Sequence, residues 1–92
     1  MITCEGNCCR IAGAVTVDSV SDLLRKLQPH FANGVDVLDF SAVETADSSI
    51  LALIFSAMRH TRHAGNTLSL VGLPASTTTL ADLYGVSELL PA

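Results

Sequence analysis

Basic side chains are scarce in this sequence: five Lys and Arg stand against nine Asp and Glu, a formal net charge of −4. Nucleic-acid binding needs a basic face that displaces phosphate counterions, so general affinity for DNA or RNA is excluded. Charged residues reach only 15% while hydrophobic ones make up 49%, a composition that folds and does not stay disordered. No apolar run approaches the ~20 residues that cross a bilayer, so direct membrane insertion is not expected. The first residues are polar and cysteine-bearing and do not read as a secretory leader, which gives a soluble, cytoplasmic expectation. The G-x-S-x-G, Walker A, G-x-G-x-x-G and H-E-x-x-H signatures are all missing. Asp39 and Asp47 have no pocket-forming motif beside them, so neither catalysis nor a cofactor is expected.

Cysteine is sparse and confined to one end, as Cys4, Cys8 and Cys9. An odd count with two adjacent members makes a poor disulfide framework, and the three read as reduced, small apolar strand residues. No metal site is expected. His30, His60 and His63 belong to other segments, and His60 and His63 read as cations near a helix end, where they complement the dipole.

What is present fits one small domain over residues 1–92. A domain this short buries roughly 60–65% of its unfolded surface. A mean hydropathy of +0.46 therefore leaves apolar surface over for a partner. Residues 2–5 and 8–17 read as strands around a Gly6-Asn7 turn. Val20, Leu23, Leu24 and Leu27 mark one face of a helix that starts after Asp18-Ser19 and ends at Pro29 or shortly beyond. Residues 35–40 form a strand after the Asn33-Gly34 turn, and residues 41–47 read as a loop. A helix from Ser48 to His63 follows, with Asp47 or Ser48 as N-cap and Gly65-Asn66 as its stop. Residues 67–71 alternate as a strand, and a last helix runs from Ser76 or Thr77 to Tyr84. The order β-β-α-β-α-β-α predicts an α/β fold, a mixed β-sheet covered by α-helices.

The helix from Ser48 carries two apolar stripes. Leu51, Ile54, Phe55 and Met58 lie at i, i+3, i+4, i+7 and are expected to pack on the sheet. Ile50, Leu53 and Ala57 form a second stripe, expected to face a partner because a small domain has little with which to bury a helix all round. Ser48 and Ser49, at the helix start, present hydroxyls beside free N–H groups, where added phosphate is tolerated electrostatically.

The segments Val37-Leu38-Asp39-Phe40-Ser41-Ala42-Val43, Ala46-Asp47-Ser48-Ser49 and Leu51-Ala52-Leu53-Ile54 resemble the signature of STAS domains. That family is named for sulfate transporters and anti-sigma-factor antagonists, and the likeness runs over nearly the whole chain. The tail, with Gly65-Asn66-Thr67-Leu68-Ser69-Leu70-Val71-Gly72 and Leu80-Ala81-Asp82-Leu83-Tyr84-Gly85-Val86, is most similar to the MlaB branch. MlaB is the small cytoplasmic STAS subunit of a bacterial ABC transporter that moves phospholipids between the two membranes and maintains outer-membrane lipid asymmetry.

The resemblance implies a non-catalytic subunit that binds and regulates the transporter's ATPase, and through it the permease, at the inner membrane. The residues expected at that interface are Ser48, Ser49, Ile50, Ala52, Leu53, Ser56, Ala57 and His60. The alternative is an anti-sigma-factor antagonist phosphorylated on Ser49 or Ser48. Ser49 falls where that branch has its phosphorylated serine, and Ser48 where the MlaB branch has its functional hydroxyl. Both branches usually place Gly where this chain has Ile50, so a branched side chain is expected on the helix start.

Overall fold

Gly6, at a φ of +60°, lets the chain reverse within two residues, a conformation side chains resist. In the computed structural model, which describes residues 1–90, this turn joins β1 (Ile2–Glu5) to β2 (Cys8–Val15). The antiparallel register sets Glu5 opposite Cys8 and Cys4 opposite Cys9. Cys4 and Cys9 are joined as a disulfide, and Cys8 is free. The expectation of three reduced cysteines is therefore corrected. A two-residue turn aligns the fourth and ninth residues directly across the ladder, whereas Cys8 points to the other side of the pleat.

Helix α1 (Val20–Ala32) carries the chain to β3 (Val37–Ala46), and α2 (Ser49–His63) carries it on to β4 (Ser69–Val71). Helix α3 (Ala75–Leu83) and a short 3-10 turn (Ser87–Leu89) follow. The four-stranded sheet has the order β1-β2-β3-β4, antiparallel at its first pair and parallel at the next two. Both crossovers step across the sheet in one direction, which for right-handed connections places α1 and α2 on the same face. Alternate residues Cys9, Ile11, Leu38 and Phe40 are buried on that face. Arg10 and Asp39 pair across the other face, with Nε and Oδ2 3.4 Å apart.

The expected α/β class and element order hold; β2 ends at Val15 and β4 begins at Ser69, each two residues short of the expected strand, and the largest difference in extent lies in β3. Residues 41–46 are strand, not loop. The pairing of β3 with β2 shifts register between Arg10 and Ala12 and again between Gly13 and Ala14. Such bulges break the two-residue alternation, so Ser41 to Ala46 shows no strand period to a reader of the sequence. Gly72, just past β4, lies against this stretch. A Cβ there would meet the Ser41 backbone nitrogen at 2.9 Å, so only glycine allows the approach.

The second stripe of α2 is core. Ile50, Leu53 and Ala57 are fully buried, as is Ile54, and Ser56 is 8% exposed. One flank is closed by α1: His60 accepts a hydrogen bond from Gln28 at 3.1 Å and stacks on Phe31 with ring centroids 5.7 Å apart. The sheet lies beneath and α3 packs on the helix as well. Two neighbouring helices and a sheet thus enclose what was expected to need a partner. Phe55 and Met58, assigned to the core, are only half-buried.

Leu53→Ala is expected to cost the free protein about 2–5 kcal/mol, the range for a buried leucine truncation that leaves a cavity. Urea denaturation measures it. A loss below about 0.5 kcal/mol, typical of surface substitutions, would place Leu53 outside the core.

Candidate functional site

The end of β3 meets the start of α2 at Asp47, and this residue builds the site. One carboxylate oxygen, Oδ1, accepts the backbone N–H of Ser49 at 2.8 Å. The other, Oδ2, accepts the N–H of Val17 at 3.1 Å, and the Asp47 N–H itself donates to the Val15 carbonyl at 3.1 Å. Asp47 thereby ties the β2–α1 connection to the helix start. Ser48 occupies the N-cap position but makes no capping hydrogen bond through its side chain. Of the two N-cap residues the sequence allows, Asp47 supplies the oxygen.

Among the described residues nothing else consumes the Ser48 hydroxyl, which is exposed at the positive end of a 15-residue helix. Ser49 is half-buried. Beside them Ser19 closes the β2–α1 turn, its hydroxyl donating to the Ala14 carbonyl and accepting the Thr16 N–H, both at 3.0 Å. The exposed Asp18 adds negative charge on the same connection. The site thus offers two hydroxyls, one rigidly held carboxylate and a helix end. No base or nucleophile pair is assembled by these contacts.

Along α2, Ser48, Ala52, Phe55, Arg59 and Arg62 recur at i, i+4, i+7, i+11 and i+14, a single face. All are exposed except Phe55, which is half-buried. Small side chains at the N-terminal end, one aromatic in the middle and two cations at the far end make up this stripe. Of the interface residues expected from the sequence, Ser48, Ser49 and Ala52 lie on or beside it. Ile50, Leu53, Ser56 and Ala57 do not, since each is buried within the protein.

His60 is half-buried and engaged with α1. Its Nδ1 donates to the Ser56 carbonyl at 2.8 Å, and its other nitrogen takes the Gln28 hydrogen bond. Because the Ile50 side chain is fully buried, it does not protrude from the helix start. The steric difference expected of the Gly-to-Ile departure is therefore absent from the surface. Phe55, Arg59 and Arg62, which share this stripe, were not among the interface residues expected from the sequence. Their spacing from Ser48 was the available signal.

The fold is that of anti-sigma-factor antagonists. The protein superposes on the anti-sigma factor antagonist SpoIIAA in its unphosphorylated form with a TM-score of 0.72 and 15% identity, over 96% of this chain and 82% of that one. It superposes on a candidate anti-sigma factor antagonist from Thermotoga maritima with a TM-score of 0.73 and 15% identity, over 98% and 81%. At such identity these likenesses describe architecture alone. No curated protein matches the chain in sequence. Residues 4–91, however, match the family model described as MlaB, STAS domain. The chain belongs to the STAS-domain family, and within it to the MlaB type.

Hydrogen bonds from the Ser49 and then the Val17 backbone hold the Asp47 carboxyl below its ordinary value of 3.8. A lowered folded-state pKa stabilises the protein above the unfolded value, and that contribution is lost as pH falls through the folded one. Asp47→Ala is therefore expected to lower the melting midpoint at neutral pH, with the gap to the parent protein closing below pH 3.8. Melting curves across the acid range measure this. A gap independent of pH would mean that Asp47 acts through something other than its charge.

Proposed function

We propose that this protein is a non-catalytic STAS subunit that docks on the ATPase of a phospholipid-transporting ABC system and favours its assembled state. The observation that carries the reading is the MlaB-type family match over residues 4–91. The solvent-facing stripe of α2 supplies the docking face. Ser48 and Ala52 allow another backbone to approach closely, Phe55 offers an apolar anchor, and Arg59 and Arg62 stand at the rim as charges that steer association. Among the described residues no helix is long and apolar enough to cross a membrane. The subunit reaches the inner membrane through the ATPase and, behind it, the permease.

The second reading, an anti-sigma-factor antagonist phosphorylated on Ser49 or Ser48, draws support from the two structural neighbours and from the exposed Ser48 hydroxyl. Asp47 counts against it, because its fixed carboxylate would repel an added phosphoryl group. Phosphate found on either serine by mass spectrometry of protein isolated from its host decides for this second reading.

The docking face is tested with Ser48→Arg and Ala52→Arg. Each is expected to leave folding intact and to weaken binding to the cognate ABC ATPase by roughly 1–3 kcal/mol, because bulk and charge are desolvated without a partner. Calorimetric titration of the purified ATPase measures it. Parental affinity in both variants removes this face from the interface.

A further inference from the structure

A group of side chains outside the α2 stripe is brought together by β1, β2 and α1. The Cys4 and Cys9 sulfurs and a ring nitrogen of His30 lie within 4.8 Å of one another. Cys9 is fully buried on the helix-covered face of the sheet, and Cys4 and His30 are half-buried around it. His30 comes from the last turn of α1, where that helix packs on β1. Two sulfurs and one imidazole are a donor set of soft character, suited to zinc-class cations.

We propose that, with its disulfide opened, the protein holds one soft divalent cation of the zinc class between Cys4, Cys9 and His30. A tetrahedral zinc, with bonds of about 2.3 Å to sulfur and 2.0–2.1 Å to nitrogen, spaces its ligand atoms roughly 3.5–3.8 Å apart. The His30 nitrogen lies no more than 4.8 Å from either sulfur, and opening the disulfide frees both cysteine side chains to rotate. Disulfide and metal are mutually exclusive because they use the same two sulfurs. A cellular thiol reductant delivers two electrons and two protons to the Cys4–Cys9 bond and is itself oxidised to a disulfide. Zinc then displaces the two thiol protons, and His30 contributes a neutral nitrogen lone pair. In a reducing compartment the dithiol is the standing form, and the cation takes over the disulfide's task of tying β1 to β2 while adding α1. The fourth position falls to water. Cys8 takes no part, since it lies on the opposite face of the sheet with Thr3, Glu5, Arg10 and Asp39.

The full chain, reduced with a monothiol and desalted without oxygen, is titrated with zinc against a chromophoric chelator. One equivalent is expected to bind the reduced protein and none the oxidised protein. His30→Ala is expected to weaken binding by more than the ~10–100-fold that follows loss of an outer-shell partner, whereas Cys8→Ser leaves it unchanged. Circular dichroism checks that each variant is folded. Cobalt(II) substitution of the unmutated reduced protein needs no variant and is expected to give thiolate charge-transfer and tetrahedral ligand-field bands. Absence of zinc binding by the reduced protein, binding that needs Cys8 and not His30, or an octahedral cobalt spectrum overturns the proposal.

Discussion

Ile50, Leu53, Ile54 and Ala57 all leave water on one 15-residue helix, and the rest of the molecule is arranged to permit it. Each buried leucine or isoleucine stabilises the fold by roughly 1.5–3 kcal/mol, so this helix is a principal source of cohesion in a short chain. Such burial requires surfaces on more than one side. The two parallel crossovers provide them by placing α1 beside α2 over the same face of the sheet, with α3 packed against the helix in turn. The narrow arc left in solvent is then fixed by geometry. It runs from Ser48 through Ala52 and Phe55 to the arginines.

Asp47 connects this packing to the exposed end of the helix. Its carboxylate is committed to two backbone N–H groups from different segments, Ser49 and Val17, so the helix start cannot shift without moving the β2–α1 connection. The hydroxyl of Ser48 is thereby presented from a rigid base, which lowers the ordering cost of any partner that reads it. On the open face of the sheet Asp39 plays a comparable local role. Hydrogen bonding from Ser41, and then the Arg10 guanidinium, holds its carboxyl below the ordinary range.

The fold was largely legible because Gly6-Asn7, Asn33-Gly34 and Gly65-Asn66 punctuate runs whose periods differ between strand and helix. The far half of β3 was not legible, since two bulges against β2 erase its alternation. The orientation of α2 was half legible. Its two apolar stripes are real, but periodicity gives their angular spacing and not what lies against each one. Leu53 and Ala57 are buried within the protein, while Phe55, assigned inward, sits at the edge of the solvent arc. The Cys4–Cys9 pairing follows from the length of the turn, a signal present in the sequence. The arrival of His30 depends on how α1 packs over β1, which no local pattern encodes.

We propose the exposed arc of α2 as the surface on which a transport ATPase docks. Hydrogen–deuterium exchange of the protein with and without the purified ATPase tests it most directly. Slowed exchange is expected over the first turns of α2 and the adjoining connection around Val17, where the backbone is nearest solvent. The open face of the sheet, around Arg10 and Asp39, is expected to exchange as in the free protein. Protection confined to that open face, or no protection anywhere, would contradict the account.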